Sequence, residues 1–148
     1  LVDMTGNRLR PVFYGSVLTG KDMLTELRLK KIYDDISDII EHFKPDLLSI
    51  EKLFFNRNVT TAIPVGQARG VVLLAAANKG LPVMEFTPMQ IKLSVVGTGS
   101  ATKEQVIYMV MHLLNIREKI KPDDTADALA AAICGINTAS TRRWQEGR

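Results

Sequence analysis

Three carboxylates in two distant stretches of the chain are the residues best suited to chemistry. Glu51 ends the apolar run of residues 47–50, while Asp124 and Asp127 lie three residues apart much later in the chain. A few carboxylates, with waters and phosphate oxygens, are what Mg²⁺ prefers, and such a cluster can serve two-metal hydrolysis of a phosphodiester. The structural alternative is that Glu51 is a solvated charge ending a strand. The two aspartates could likewise be stabilised by a helix N-terminus.

Asp127 is the residue that capping explains least well. Asp124 could cap a helix, but Asp127 follows one turn later among small residues that imply close packing. These residues are Ala126, Ala128, Ala130 and Ala131. A carboxylate in such company needs a counter-charge, and the sequence offers no lysine or arginine within a turn of it. A divalent metal would supply that charge.

Two elements must bring these carboxylates together. Residues 46–51 follow Pro45 and read as a buried strand, so Glu51 would sit at the strand end where α/β proteins place ligands. Asp123 or Asp124 is predicted to cap a final Ala-rich helix that runs to about residue 138 and packs against this strand.

The remaining pattern predicts an α/β layer sandwich with a mixed sheet, in one domain over residues 1–140. A strand over 1–5 turns at Gly6 and Asn7 into a strand over 9–18, forming an antiparallel hairpin. The other predicted elements are an amphipathic helix over 24–43, a helix over 60–79, a strand over 82–86, a helix over 88–96 and a helix from about 103. Residues 141–148 read as a basic, frayed tail.

Two short helices carry lysines that could meet phosphates. The segments starting at Thr87 and Thr102 each place glutamine three residues after a threonine, which predicts two capped helix starts. Lys92 and Lys103 flank the glycine loop between these helices. With Arg57 and Arg69 they could form a basic rim for phosphates, although each alone could be a solvated surface charge.

Aromatic residues next to Glu51 suggest a base-stacking role. Phe54 and Phe55 stand beside Arg57, directly after the candidate carboxylate. One ring and the guanidinium could stack on nucleobases, because every base has a π-face. Alternatively the rings fold into the core, which is the expectation for one of them.

The helix over 60–79 is apolar on all sides through residues 71–77. The sheet can cover one face only, so the other face favours a symmetric homodimer. Pro64 is expected in the first turn, where a proline is tolerated.

Composition excludes several other classes of protein. The chain has 148 residues, a net charge of +3 and one cysteine, so an internal disulfide is impossible. No apolar run is long enough to span a membrane and no signal peptide is visible, which makes cytoplasmic the expected location. The glycine loop lacks a Walker-A lysine, and His42 and His112 have no partners at metal-ligand spacing.

Several short motifs in series resemble the RuvC family of Holliday-junction resolvases. They begin at Ile50-Glu51-Lys52-Leu53-Phe54 and end at Asp124-Thr125-Ala126-Asp127, and they cover the chain to about residue 140. Between them lie Gly66-Gln67-Ala68-Arg69-Gly70, Gln90-Ile91-Lys92 and the segment 96–103. The resemblance implies an RNase H-like fold with a five-stranded mixed sheet, a homodimer, and Mg²⁺-dependent paired nicking of four-way DNA junctions during recombination and repair.

The resemblance also implies particular residue roles and partners. Glu51, Asp124 and Asp127 would be catalytic metal ligands for two Mg²⁺ ions per site, with Mn²⁺ as a possible substitute. Lys92 and Lys103 would act near the scissile phosphate, and Phe54 would insert at the junction. The protein would work alongside a junction-binding and branch-migration helicase complex.

The chain departs from the family pattern at one place. The family opens with a strand whose Gly-Ile-Asp-Pro-Gly motif carries a further catalytic aspartate, and this motif is absent from the sequence; Asp3 falls in the following strand. That strand would be central in the sheet, so the 148-residue chain is expected to be inactive and poorly soluble without it. The alternative function is a non-cleaving module that binds junction DNA.

Overall fold

A computed structural model describes residues 1–53 and 59–145 and shows an α/β protein, as the sequence predicts. The strands are β1 (Val2–Thr5), β2 (Arg8–Pro11), β3 (Leu48–Glu51) and β4 (Val83–Phe86). The helices are α1 (Thr25–Phe43), α2 (Val59–Asn78), α3 (Pro88–Val96), α4 (Lys103–Leu113) and α5 (Asp123–Gln145). Their order along the chain is the predicted one.

The strands of the described residues form two separate two-stranded sheets. In the first, β1 and β2 pair antiparallel, with Thr5 opposite Arg8 across the tight turn. In the second, the Leu48 N–H donates to the Pro82 carbonyl and the Lys52 N–H donates to the Phe86 carbonyl. The constant offset between donor and acceptor shows that β3 and β4 run parallel. The four described strands are therefore not joined into one sheet, in a chain for which the first, central strand of the five was expected to be absent.

The chain divides into two compact units, described here separately. The first contains residues 1–16, 49–52 and 84–148, and the second contains residues 17–48 and 53–83. β3 and β4 cross this division, since Leu48 and Val83 belong to the second unit. All three carboxylates and both candidate lysines lie in the first unit.

The core of the first unit forms around the small and branched residues of α5. Ala126, Ala130 and Ile133 have no exposed surface, and Leu129 is 2% exposed. The buried side chains packed with them include Phe86, Ile91, Val106, Val110 and Leu114. The prediction of close packing is confirmed for this face of α5, although Ala128 is exposed.

The second unit consists mainly of α1 packed against α2. The α1 helix ends before Pro45 as predicted, with Lys44 in the left-handed conformation. The two helices are joined by a hydrogen bond from Asn78 Nδ2 to the Tyr33 hydroxyl at 2.8 Å. An ion pair between Lys79 Nζ and Glu41 Oε2 at 2.7 Å also joins them.

Three predicted boundaries are wrong. β2 ends at Pro11, which lies opposite Val2, and just beyond it the Val12 N–H donates to the Leu1 carbonyl at 2.9 Å. Pro64 lies in the second turn of α2, since the helix begins at Val59. α5 continues to Gln145, well beyond residue 138, so part of the expected frayed tail is helical.

His42 and His112 are exposed, and Cys134 is a buried core residue at 2% exposure. Within the part of the chain that the structure describes, no helix combines the length and hydropathy needed to cross a membrane.

Candidate active site

A capping box fixes the start of each lysine-bearing helix. The Thr87 hydroxyl accepts from the Gln90 N–H at 3.1 Å, and the Gln90 side chain accepts from the Thr87 N–H at 2.8 Å. Thr102 and Gln105 repeat this arrangement at the start of α4. Reciprocal bonds of this kind satisfy backbone donors that would otherwise lack partners. They therefore fix the backbone positions from which the Lys92 and Lys103 side chains extend.

β3 and α5 hold the carboxylates in place. The Ser49 hydroxyl donates to the Ala131 carbonyl, which ties the strand that ends at Glu51 to the helix that carries Asp127. Near the beginning of the same helix, the buried Thr125 hydroxyl lies 3.4 Å from the Ser16 hydroxyl. The small side chains of α5 permit this close approach, as the sequence predicts.

A cavity of about 230 Å³ brings two of the three predicted carboxylates and both lysines together. Its lining residues are Glu51, Pro88, Ile91, Lys92, Lys103, Val106, Asp127 and Ala130. Polar groups of both charges thus share one concave surface whose remaining wall is apolar, an arrangement typical of a ligand site. The apolar wall was not predicted from the sequence, because helix periodicity alone does not distinguish residues that face a site from residues that face the core.

Lys103 is the counter-charge of Asp127. Its Nζ lies 3.1 Å from Asp127 Oδ2, with side-chain exposures of 47% and 41%. The hydrogen bond to Asp127 and its charge are the main causes that raise the pKa of Lys103. The inference that a metal must supply the counter-charge of Asp127 is therefore wrong. Lys103 of α4 supplies it, although it is far from Asp127 in the sequence.

Glu51 feels both partial burial and the neighbouring carboxylate. Desolvation raises its pKa most, and the negative charge of Asp127 raises it further. The positive charges of Lys103 and Lys92 oppose these effects. Glu51 and Asp127 are therefore electrostatically coupled, and a cation between them would relieve their repulsion.

Asp124 is close to this group but does not line the cavity. It lies exposed in the first turn of α5, and it contributes with Asp123 to the raised pKa of Lys103. In the described residues no three His, Cys, Asp or Glu side chains are grouped as a metal centre. The preassembled part of the predicted ligand set is the pair Glu51 and Asp127.

Four further residues were predicted to bind DNA. Phe54, Phe55 and Arg57 lie outside the described residues. Arg69 belongs to α2 in the other compact unit. Of the predicted basic rim, the structure places Lys92 and Lys103 at the site.

Comparison with known proteins decides the family. The family model for crossover junction endodeoxyribonuclease RuvC matches residues 1–135. A curated relative of that name from Desulforamulus reducens is 48% identical over 141 residues, covering 95% of this chain and 86% of the relative. Another, from Brevibacillus brevis, is 53% identical over 133 residues, covering 90% of this chain and 80% of the relative.

This chain belongs to the RuvC family. The solved structure of Thermus thermophilus RuvC superposes with a TM-score of 0.85 at 33% identity, covering 95% of this chain and 86% of that one. T. thermophilus RuvC in complex with a Holliday junction substrate gives 0.84 at 34% identity, with coverages of 90% and 81%. The predicted resemblance and the RNase H-like fold class are confirmed. The RuvC fold thus places Glu51, Asp127 and the two lysines on one cavity.

The raised pKa of Glu51 predicts that Glu51→Gln stabilises the protein at neutral pH. When the pKa of a carboxyl is higher in the folded state than in the unfolded state, its protonated form stabilises the fold at pH values below its ordinary pKa of about 4.3. This stabilisation is lost as pH rises through the raised pKa. Glutamine cannot ionise, so the variant avoids that loss. In urea denaturation, the free energy of unfolding of the variant should exceed that of the parent at neutral pH and equal it in acid.

Glu104→Gln is the control with the opposite sign. The Glu104 N–H and the Thr102 hydroxyl lower the pKa of Glu104, so its charge favours folding at neutral pH. This variant should lose stability at neutral pH and regain parity in acid. Equal shifts in the two variants would mean that charge removal in general, rather than the environment of Glu51, sets the result.

Proposed function

We propose that this RuvC-family protein is a divalent-metal-dependent endonuclease that resolves four-way DNA junctions by paired nicking. The observation that carries the proposal is the cavity shared by Glu51, Asp127, Lys92 and Lys103. Its two kinds of charge match the two needs of phosphodiester hydrolysis, which are a bound metal and a positioned phosphate. The relative solved with a Holliday junction supports four-way junctions as the substrate class.

The donor set fits Mg²⁺. This ion is commonly bound by one or two carboxylates, with waters and substrate phosphate oxygens completing its shell. Glu51 and Asp127 supply two carboxylates, and the pKa of Glu51 is raised first by desolvation and then by the charge of Asp127. Asp124, one turn before Asp127, is proposed as a further ligand. A second ion, or Mn²⁺ in place of Mg²⁺, remains part of the proposal and needs ligands beyond the assembled pair.

The protein's own residues divide the work between them. Lys92 and Lys103 bind the non-bridging oxygens of the phosphate, whose negative charge grows as water attacks phosphorus and one P–O bond breaks. Glu51 and Asp127 hold the metal, which when bound activates the attacking water and stabilises the leaving oxygen. The apolar wall formed by Ile91 and Val106 lowers the local polarity and strengthens these charge interactions.

Paired nicking needs two sites, which a homodimer through α2 would provide. We propose this dimer on the exposed apolar side chains of α2, and also a junction-binding and branch-migration helicase complex as a partner. The dimer is proposed on exposed apolar side chains of α2 such as Ile63 and Leu74. The helicase complex and a cytoplasmic location rest on the resemblance of the sequence to its family.

A non-cleaving junction-binding module is the second candidate function. The ion pair between Lys103 and Asp127 favours it, since a lysine of the chain itself neutralises a predicted metal ligand. The deciding experiment is a Mg²⁺ titration with full-length protein and a synthetic four-way junction. Paired nicks that appear with Mg²⁺ support the enzyme, whereas saturated binding without nicks at any Mg²⁺ or Mn²⁺ concentration supports the module.

Phe54→Ala should impair cleavage of an intact junction more than cleavage of a junction already unpaired at its centre. Phe54 lies outside the described residues, and the resemblance to the family motivates its proposed insertion at the junction. Base stacking on an aromatic side chain is worth about 1–3 kcal/mol, so the difference between substrates should be roughly tenfold or more. Equal losses on both substrates would make Phe54 a packing residue.

A further inference from the structure

The Lys103 ammonium group is in contact with the carboxylate that the proposed function assigns to metal. Its Nζ lies 3.1 Å from Asp127 Oδ2, on a cavity that Glu51 also lines. The Asp127 oxygen that accepts from the ammonium group cannot bind a metal ion equally strongly at the same time. The proposed function also assigns Lys103 to the phosphate. Each of the two groups therefore has two competing partners.

We propose that the Lys103–Asp127 ion pair couples metal binding to phosphate binding, because each ligand releases the residue that the other requires. A phosphate that binds Lys103 frees Asp127 for the metal, and a metal that binds Asp127 frees Lys103 for the phosphate. The coupling rests on the proposed function and deepens it by adding a regulatory role for Lys103. By linkage, the two ligands must raise each other's affinity by the same factor.

The geometry favours an exchange over a fixed structural bridge. Both side chains remain more than 40% exposed, so neither is locked by packing. Lys103 is the first residue of α4, where the capping box of Thr102 and Gln105 fixes the backbone and leaves the side chain to move. An exposed ion pair of this kind is weak enough to exchange for a metal ion or a phosphate.

Lys92 provides a matched control for the charge of Lys103. It lines the same cavity, and both lysines lower the pKa of Glu51 by their charge. The ion pairs found among the described residues include one from Lys103 to Asp127 and none from Lys92. A general effect of positive charge on metal binding should therefore appear in variants of either lysine, whereas release of Asp127 is particular to Lys103.

The test measures Ca²⁺ affinity by titration calorimetry on full-length parent protein, Lys103→Gln and Lys92→Gln. Ca²⁺ prefers the same oxygen ligands as Mg²⁺. Without DNA, Lys103→Gln should bind Ca²⁺ roughly two- to fivefold more tightly than Lys92→Gln, the range expected for loss of an exposed ion pair. Saturating four-way junction DNA should raise the Ca²⁺ affinity of the parent, and this gain should shrink in Lys103→Gln more than in Lys92→Gln.

The outcomes separate the coupling from the proposed function. Equal Ca²⁺ affinities of the two variants without DNA would overturn the coupling and leave the metal-dependent nuclease intact, provided that the parent binds Ca²⁺. A gain from DNA that is undiminished in Lys103→Gln would also overturn it. If the parent binds no divalent cation with or without DNA, both the coupling and the proposed metal site are wrong.

Discussion

Asp127→Asn is expected to reduce junction nicking by at least about a hundredfold while junction binding persists. Loss of an outer-shell partner of a metal ligand already costs about 10–100-fold, and loss of a ligand itself should cost no less. The asparagine keeps the shape of the side chain and removes the charge that would hold a divalent cation. Lys92 and Lys103 remain to bind phosphate, so affinity for DNA should stay close to that of the parent. Glu51→Gln and Asp124→Asn are expected to give the same separation of cleavage from binding.

Asp123→Asn is the matched control for these variants. Asp123 is an exposed aspartate of the same first turn of α5, and it was assigned no ligand role. Nicking of a labelled four-way junction at saturating Mg²⁺, measured beside a gel-shift titration, should show loss in the three ligand variants and near-parental activity in Asp123→Asn. Nicking retained by Asp127→Asn under these conditions would remove that residue from the catalytic set.

Asp124 is the carboxylate of the three that does not line the cavity. It occupies the first turn of α5 next to Asp123, and the charges of both raise the pKa of Lys103. If Asp124→Asn behaved like Asp123→Asn, the working ligand set would reduce to the pair that lines the cavity.

Local patterns in the sequence located the elements that build the site. Two threonine–glutamine pairs predicted the starts of α3 and α4, and both capping boxes are present with reciprocal hydrogen bonds. The apolar run before Glu51 and the alanines after Asp127 predicted the strand and the close-packed helix. These features depend on neighbours a few residues apart, which is why a single sequence reveals them.

What the sequence did not reveal depends on contacts across the fold. Lys103 and Asp127 are separated by 24 positions, so no local pattern marks their ion pair. The helical extension of α5 likewise depends on distant partners, since α5 contacts β1 and the Ser140 hydroxyl lies 3.9 Å from Met4 Sδ. Helix length and ion pairing were therefore misjudged where tertiary contacts decide them, while the two threonine caps and the strand that ends at Glu51 were not.

The α2 helix exposes an apolar stripe of the kind that a dimer would bury. Ile63 and Leu74 are 59% and 53% exposed, and the exposed Gly70 and Ala77 lie four residues before and three residues after Leu74. Ala75 and Ala76, on the other side, have no exposed surface. This division of the helix into covered and open faces fits the homodimer proposed on the all-round apolar sequence of α2.

Leu74→Glu is therefore expected to convert the full-length protein from dimer to folded monomer. A charge buried at the centre of a two-fold interface meets its own copy, so it is opposed by both desolvation and repulsion. Sedimentation at micromolar concentration should show the monomer, and circular dichroism should show unchanged helix content. Such a monomer should nick one strand of a junction at a time, so singly nicked junctions should accumulate before resolved products.

Leu27→Glu supplies the matched control for this variant. Leu27 lies on α1 in the same compact unit and is 51% exposed, close to the value for Leu74. A dimer that survives Leu27→Glu but not Leu74→Glu places the interface on α2, because both changes add the same charge at equal exposure. Parental protein that sediments as a monomer would remove the basis for this interface, and paired nicking would then require two independent binding events.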